Sequence, residues 1–598
     1  MLSTVINFFW DFFKRILHYF FGTEAIHHII GEAEHRIISA LTNDEGDLDL
    51  NRTGVSDSSV DKLAAGLKTN RTLQKISMND CNLTPKGVAI MGKAIKGNRF
   101  LKEIKFNYNN IGVSGVGKIA KALRVNCCLL SIELSSNKIG DDGLKQLAGA
   151  LKVNKSLQKI SLKLNHIGND GAAILAAALK VNNTLKTIDL MWNIIGDDGA
   201  GELAGALKVN HNLEMIDLGN NYIRSDGAEK LAEALKVNKR LQYLRIWRNS
   251  SGTTGAEKFA EALKVNQSLR VLYLKGNSIG AYGAEKIAEA LKVNQCLKEI
   301  DLSENNIGND GIRRIAEALE VNNFLTMINL GKNNIGPNGT SKLAEALKKH
   351  PSLERIYLNS NYISTGGSQK LAEALKFNRV LKLIDLSSNI IRDYGAERLA
   401  AALKVNQRLE SIYFGCNSIR AYGARMLADA LKVNRFLKTI DLRCNNIGDI
   451  GAGELAQALK VNQSLQVVLL MNNDISDDGA TELAAALKAG HSLQKIKSIF
   501  QDFVLTSNHI RGDHAEMLIG RMRQSIQKID LACNHVSIDG ALKLAEAICF
   551  NHRAGFGIEK RQEIDLRYNK IDHNGRKKVE NFLKMFNATE DCQIKILT

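Results

Sequence analysis

Proline is nearly absent from this chain of 598 residues, which contains only three. No Ser/Gly-rich linker or low-complexity tract interrupts the sequence either, and such segments commonly separate domains. A single globule of this length would normally divide into several domains, whereas an array of similar units grows without enlarging one central core. The sequence therefore predicts one long domain built by adding units.

Cysteine spacing excludes a disulfide framework. The nine cysteines are odd in number, and no Cys-x-x-Cys pair occurs among them. This pattern favours reduced thiols in a cytoplasmic compartment. The His-Glu-x-x-His and Walker motifs and any Cys/His pairing are also missing. We therefore expect a protein that is not an enzyme and that uses no metal and no cofactor.

What the chain does contain is one unit repeated, represented by LKVNQSLRVLYLKGNSIGAYGAEKIAEA from Leu263 to Ala290. Shifting this unit by 28 residues in either direction reproduces its skeleton. The spacing of Leu272 and Leu274 predicts a short strand with one buried face, and that of Ile287 and Leu291 predicts a helix with one apolar face. Neither face can be buried within one unit, so each unit must pack on its neighbours.

Two asparagines recur with the unit. Asn277 follows the strand and belongs to a ladder of equivalent residues, while Asn294 follows the helix, where we expect the left-handed conformation that ends helices. The ladder residues are Cys81, Asn109, Asn137, Asn165, Asn193, Asn221, Asn249, Asn277, Asn305, Asn333, Asn361, Asn389, Asn417, Asn445 and Asn473. After Asn473 the intervals change to 35, 26 and 35 residues.

These patterns divide the chain into four segments. We expect residues 1–22 to form an amphipathic, aromatic-rich helix, and residues 23–50 to form a capping helix and a first strand. Residues 51–495 are regular repeats of 28 residues. Residues 496–598 are irregular repeats and a C-terminal cap, in which QIKILT is predicted to be the closing strand.

The first segment has two interpretations that the sequence leaves open. Its charged residues lie mid-segment, which argues against a spanning helix and a cleavable signal peptide. It either caps the apolar end of the array or lies in a membrane interface. The residues that would serve either role are Phe8, Phe9, Trp10, Phe12, Phe13, Phe20 and Phe21.

The net charge of +17 is concentrated at one position of the unit. The residue after the last helical leucine is Lys or Arg from Lys68 to Lys488, with Glu320 as the exception. A cation in the last helical turn complements the helix dipole, which is the simplest explanation. Because no phosphate loop or nucleic-acid motif accompanies it, nucleic acid is an unlikely partner, whereas an acidic membrane surface stays open.

The motif LxxLxLxxNxIGxxGAxxLAxALKVN closely resembles the ribonuclease-inhibitor-like class of leucine-rich repeats, over roughly residues 45–598. That class includes ribonuclease inhibitor, the Ran GTPase-activating protein and the repeat domains of NLR immune receptors. The resemblance implies an α/β solenoid, a horseshoe or near-closed ring with a parallel concave sheet and convex helices. It says little about function, because these relatives share architecture and differ in partner.

Aromatic and basic residues gather at the strand positions that the resemblance assigns to the concave face. Trp, Tyr and Arg are enriched in binding hot spots, and aromatic residues are scarce elsewhere in the array. We therefore expect a protein-binding surface there, while the alternative is that the rings only stack along the sheet. The candidate residues are Trp192, Tyr243, Arg245, Trp247, Arg248, Tyr273, Lys275, Arg355, Tyr357 and Tyr413.

The resulting hypothesis is a non-enzymatic scaffold that binds a protein partner on its concave face. The near-identical repeats and hydrophobic N-terminus also look like effectors that intracellular bacteria deliver into host cells. The alternatives are a regulator of a small GTPase, as the Ran activator is, and a membrane-associated scaffold that uses residues 1–22. Asp189, Asp217, Asp301, Asp385 and Asp441 could form a carboxylate row, but such spacing arises automatically in a repeat.

Overall fold

The computed structural model describes residues 32–42 and 46–489, four later strands, and residues 508, 542, 574, 577–579 and 581. The chain consists of two compact units, Met1–Ile279 (unit 1) and Gly280–Thr598 (unit 2). Each unit alternates short strands with helices of about three turns. The N-terminal aromatic residues from Phe8 to Phe21, predicted to form a cap or a membrane contact, lie outside the described residues.

Unit 1 begins with the helix and strand that the sequence places before the regular repeats. Its described helices are α1 Glu32–Thr42, α2 Asp57–Gly66, α3 Pro85–Gly97, α4 Gly112–Leu123, α5 Gly140–Leu151, α6 Asn169–Leu179, α7 Asp197–Leu207, α8 Ser225–Val237 and α9 Gly252–Val265. Its described strands are β1 Asp47–Asp49, β2 Lys75–Ser77, β3 Glu103–Lys105, β4 Ser131–Glu133, β5 Lys159–Ser161, β6 Thr187–Asp189, β7 Met215–Asp217, β8 Tyr243–Arg245 and β9 Val271–Tyr273.

Unit 2 continues the alternation and ends on the strand predicted from QIKILT. Its described helices are α10 Gly280–Leu291, α11 Gly308–Leu319, α12 Pro337–Leu347, α13 Thr365–Phe377, α14 Arg392–Leu403, α15 Ala421–Leu431, α16 Gly448–Leu459 and α17 Asp477–Ala489. Its described strands are β10 Glu299–Asp301, β11 Met327–Asn329, β12 Arg355–Tyr357, β13 Leu383–Asp385, β14 Ser411–Tyr413, β15 Thr439–Asp441, β16 Val467–Leu469, β17 Asp502–Val504, β18 Lys528–Asp530, β19 Arg561–Asp565 and β20 Gln593–Leu597.

Within each unit the strands are parallel and paired in register. In unit 1, Leu244 of β8 lies opposite Leu272 of β9, and both side chains are fully buried. The first and third residues of a strand point to the other side, because side chains alternate along a strand. We call that side the open face. The helices cover the buried side, so the predicted fold class, a leucine-rich repeat α/β solenoid, is confirmed in each unit.

The ladder asparagines join successive repeats through their side chains. Asn277 is buried, and its Nδ2 donates to the carbonyl oxygens of Leu274 at 3.0 Å and of Ile246, in the preceding repeat, at 2.9 Å. Cys81 keeps part of this arrangement, since its thiol donates to the Leu50 carbonyl at 2.9 Å. Burial raises the pKa of that thiol and so keeps it a donor.

The expectation for Asn294 is wrong in its mechanism. Asn294 is not among the residues with a positive φ, and its equivalent Asn266 has an extended backbone, with φ −74° and ψ 130°. Instead the Asn294 side chain accepts from the backbone N–H of Leu297 at 2.8 Å. The same residue one repeat later, Asn322, donates to the Leu291 carbonyl at 2.7 Å. These asparagines form a second ladder, and a side-chain hydrogen bond replaces the left-handed turn.

Several helix N-termini are capped by a side chain of the preceding repeat. Asp197 accepts from the backbone N–H of Arg224 at 2.7 Å and of Gly227 at 2.9 Å, at the start of the next helix. Asp393 does the same for Arg420 and Gly423 at 2.7 Å and 3.0 Å. The side-chain carboxylate both satisfies unpaired N–H groups and complements the helix dipole. Acidic groups therefore collect at the N-terminal ends of the helices.

Candidate protein-binding surface

Two tryptophans meet at the C-terminal end of the unit 1 strands. The rings of Trp192 and Trp247 lie edge to face, with centroids 6.2 Å apart and planes at 69°. Their repeats are separated by the repeat of Gly219, where an added Cβ would lie 2.1 Å from the Trp247 indole nitrogen. The missing side chain therefore gives Trp247 room to cross one repeat and reach Trp192. Trp192 keeps 39% of its surface exposed.

Arg245, two residues before Trp247, contacts the next strand. Its guanidinium carbon lies 5.1 Å from the centre of the Tyr273 ring, which is cation–π distance. On the other side its Nη1 is 3.6 Å from a carboxylate oxygen of Asp217. The Nε of Arg245 is buried without a hydrogen-bond partner in the described structure, an arrangement that costs stability. We call Trp192, Arg245, Trp247 and Tyr273 the aromatic cluster.

Asp217 is a buried carboxylate beneath the cluster, and only 1% of its surface is exposed. The pKa of Asp217 is raised to about 6, chiefly by burial and also by the neighbouring Asp189, while the Gly219 N–H and Arg245 act in the opposite direction. The Gly219 N–H donates to Asp217 at 3.0 Å. Arg245 lies too far from the carboxylate to compensate its loss of water.

Unit 2 carries a second group of candidate residues on its open face. Nη2 of Arg355 donates to Glu299 at 2.8 Å, although these residues are 56 apart in sequence. Between them in the sheet lies Met327, which is buried. The arginine side chain thus spans the intervening strand, which its length permits and its partner's charge favours.

Tyrosines and aspartates alternate across β12 to β15. Tyr357 pairs with Asp385, then Tyr413, then Asp441 in register. Burial raises the pKa of Tyr413, with further contributions from Asp385, Tyr357 and Asp441, and burial also raises the pKa of Asp385. Asp441 differs because Arg443 donates to it from both Nε, at 2.9 Å, and Nη2, at 2.6 Å. The predicted carboxylate row is therefore interrupted by tyrosine here, whereas Asp189 and Asp217 are direct neighbours in unit 1.

The other predicted residues lie around these groups. Tyr243 begins β8 on the open face and is 37% exposed. Arg248 is exposed at the turn after the strand, where its φ is 47°. Lys275 is half-buried. The structure thus brings Trp192 into contact with Trp247, Arg245 with Tyr273, and Arg355 with Glu299, while the binding role of all ten residues stays a prediction.

The expectation that aromatic residues are scarce elsewhere in the array is wrong. Tyr222 and Tyr362 follow ladder asparagines and are 66% and 58% exposed. Tyr394 and Tyr422 lie in the first turns of α14 and α15, with ring centres 6.0 Å apart. All four lie near the N-terminal ends of helices, away from the open face. The first two lie one residue after a ladder asparagine and the other two lie five residues after one, and this regular spacing was a signal that could have found them.

The part of the chain that the structure describes has neither a group of metal-ligating side chains nor a membrane-spanning helix. Among those residues no group of three or more His, Cys, Asp or Glu side chains could hold a metal ion. None of the helices in those ranges is long and apolar enough to cross a bilayer.

A leucine-rich repeat family model matches the chain eleven times. The matched residues are 69–89, 97–120, 125–148, 153–176, 181–204, 209–232, 265–288, 293–316, 321–344, 433–456 and 461–484. The intervals 233–264 and 345–432 between these matches contain seven candidate residues: Tyr243, Arg245, Trp247, Arg248, Arg355, Tyr357 and Tyr413.

A solved structure, that of a TLR13–ssRNA13 complex, is similar at 15% sequence identity with a TM-score of 0.38. The similarity covers 80% of this chain and 64% of that chain, so this chain spans less than two thirds of its length. No protein among the curated sequences matches the chain.

Proposed function

This chain is a leucine-rich repeat protein, and on that basis we propose that it is a non-enzymatic scaffold that binds a protein partner on the open face of its sheet. The observation that carries the proposal is the aromatic cluster, in which Trp192 contacts Trp247 and Arg245 contacts Tyr273. Aromatic and arginine side chains are the residues most enriched in binding hot spots.

The backbone beneath the cluster supports this role. The cluster residues lie on or beside paired strands, in repeats joined by ladder asparagines such as Asn277. A surface that is already ordered loses little conformational entropy when it binds, so a few anchors can suffice. The alternative is that the rings only stabilise neighbouring strands, and their mutual contacts would serve that role too. Exposure of Trp192 and the unpaired Arg245 Nε favour binding.

The test is quantitative capture of partners by the full chain and by the double variant Trp247→Ala, Tyr273→Ala. We expect the variant to bind the captured partner at least about 30-fold more weakly, as truncation of two hot-spot residues would give. The matched control is Tyr222→Ala, Tyr362→Ala, which removes two exposed aromatic rings away from the open face. Unchanged affinity of the first variant would show that the proposed surface is wrong, provided that both variants keep the wild-type circular dichroism spectrum.

The proposal places this scaffold in the cytosol, where reduced cysteines persist, and includes delivery into a host cell as a bacterial effector. A translocation reporter fused to the chain tests delivery. If the reporter does not reach the host cytosol, the effector role is ruled out and the scaffold role is unaffected. The small-GTPase alternative has a separate test. Acceleration of GTP hydrolysis across a panel of small GTPases would replace the scaffold by a regulator.

A further inference from the structure

A basic residue followed by an exposed apolar residue recurs at the C-terminal end of the helices. The exposed fraction of the valines runs from 48% at Val461 to 58% at Val181. We call these pairs the Lys–Val row. In unit 1 they are Arg124–Val125, Lys152–Val153, Lys180–Val181, Lys208–Val209, Lys236–Val237 and Lys264–Val265; in unit 2 they are Lys292–Val293, Lys376–Phe377, Lys404–Val405, Lys432–Val433 and Lys460–Val461.

The second asparagine ladder holds the row in place. Asn154, which directly follows Val153, donates to the carbonyl oxygens of Leu123 at 2.6 Å and of Asn126 at 3.0 Å. Equivalent bonds recur in unit 2, where Asn434 donates to Leu403 at 2.7 Å. Each helix end is thus tied to the one before it. Within each unit the pairs therefore lie along one edge, at the helix ends opposite the acidic caps.

Folding explains the lysines of the row but not the valines. A cation in the last helical turn complements the helix dipole. A half-exposed valine there contributes only part of its surface to the core and provides no cap, and its branched side chain is a poor helix former. About half of each valine faces water, so an apolar edge is presented to the solvent at every such helix end. A periodic edge that is both basic and apolar is complementary to a surface that is both anionic and apolar.

We propose that the Lys–Val row binds the surface of an anionic phospholipid bilayer. The ammonium groups would pair with headgroup phosphates and carboxylates, and the valines would rest at the boundary between headgroups and acyl chains. Single-stranded nucleic acid fits the row less well, because bases stack on aromatic or guanidinium planes, and in the row only Phe377 and Arg124 offer one. This surface is distinct from the aromatic cluster, so the two sites are independent.

Four lysines of the row are suited to a test. Lys152, Lys180, Lys208 and Lys404 are exposed, and none has an ion pair within the described structure. By contrast, Lys236 pairs with Glu233 at 2.6 Å and with Glu261 at 3.1 Å. Free ammonium groups are available to a headgroup without first breaking an internal contact.

The experiment is co-sedimentation of the full chain with vesicles of phosphatidylcholine, with and without phosphatidylserine. We expect binding only to the anionic vesicles, and the variant with Lys152, Lys180, Lys208 and Lys404 all changed to Gln should lose about tenfold or more in partitioning. The matched control changes four exposed, unpaired cations on the helix surfaces to Gln, which removes the same charge. These are Lys118, Lys145, Lys230 and Arg398.

A second variant tests the apolar half of the row. Val153→Ser, Val181→Ser, Val209→Ser and Val405→Ser together leave the charge unchanged, and we expect partitioning to fall about threefold. Each of the following results would overturn the proposal: equal loss in the row and control variants, equal binding to neutral vesicles, full binding by both row variants, or binding to single-stranded RNA alone. Loss of all vesicle binding on deletion of residues 1–22, with row variants unaffected, would assign it to that segment instead.

Discussion

Replacing Asp217 with asparagine is expected to stabilise the protein at pH 8. The carboxylate is 1% exposed, and burial raises its pKa from 3.8 to about 6. Asparagine has nearly the same shape and keeps an oxygen that accepts from the Gly219 N–H, now at 3.0 Å. What the substitution removes is the cost of burying a negative charge 3.6 Å from its nearest cation, Arg245.

The magnitude follows from the pKa of Asp217. Between pH 3.8 and about 6 the folded state binds more protons than the unfolded state, so stability falls as the pH rises. Once the pH exceeds 6 the loss is complete, and it amounts to about 3 kcal/mol. Asparagine carries no charge at any pH. The gain from Asp217→Asn should therefore be close to zero below pH 4 and about 3 kcal/mol at pH 8.

Asp441 provides a matched contrast, because it holds the same strand position and is also 1% exposed. Arg443 donates to it at 2.9 Å and 2.6 Å, so its buried charge is paired. Asp441→Asn should destabilise the protein by about 2 kcal/mol, opposite in sign to Asp217→Asn.

Urea unfolding followed by circular dichroism at pH 4 and pH 8 measures both substitutions as differences from the wild type. A loss of stability in Asp217→Asn at pH 8, or a gain that does not depend on pH, would refute the reasoning.

Two further substitutions test individual contacts. His350 stands where neighbouring repeats have asparagine, its Nε2 is buried without a partner in the described structure, and burial lowers its pKa to about 4. Stability should thus fall as the pH drops from 6.5 towards 4, and in thermal melts His350→Asn should be about 2 kcal/mol more favourable relative to wild type at pH 5 than at pH 8. An equal effect at both pH values would contradict this. Gly219→Ala should displace Trp247, whose indole nitrogen lies 2.1 Å from the added Cβ, and so change tryptophan fluorescence. Gly415→Ala is the control, because the nearest atom there is 3.5 Å away, and an equal spectral change in both would argue against the tryptophan contact.

Much of the fold could be predicted from the sequence, because each local pattern of apolar residues recurs in many repeats. The alternation around Leu272 predicts β9, and the spacing of Ile287 and Leu291 predicts α10. The closing strand near the C-terminus was also predicted. The role of Asn294 was predicted wrongly, because sequence shows that a helix ends there and not which group satisfies the free N–H and carbonyl groups.

The candidate surface was only partly predictable. The sequence by itself determined which residues lie on the open face, since the period of two along a strand sets the direction of each side chain. Only the tertiary structure decided what those residues touch. Asp217 and Asp441 occupy the same strand position. Arg443, two residues later in the chain, donates hydrogen bonds to Asp441. The cation nearest Asp217 is Arg245, which belongs to the next repeat and lies 3.6 Å away.

The physical reason is that these contacts, apart from that of Asp441 with Arg443, join residues a whole repeat or more apart. Trp247 reaches Trp192 because the repeat between them has glycine at position 219, and Arg355 reaches Glu299 across a buried methionine. Such contacts depend on the size of the intervening side chain, which periodicity does not record. The repeat thus determined the scaffold and the direction of each side chain, and packing between repeats decided which charges are paired and which rings meet.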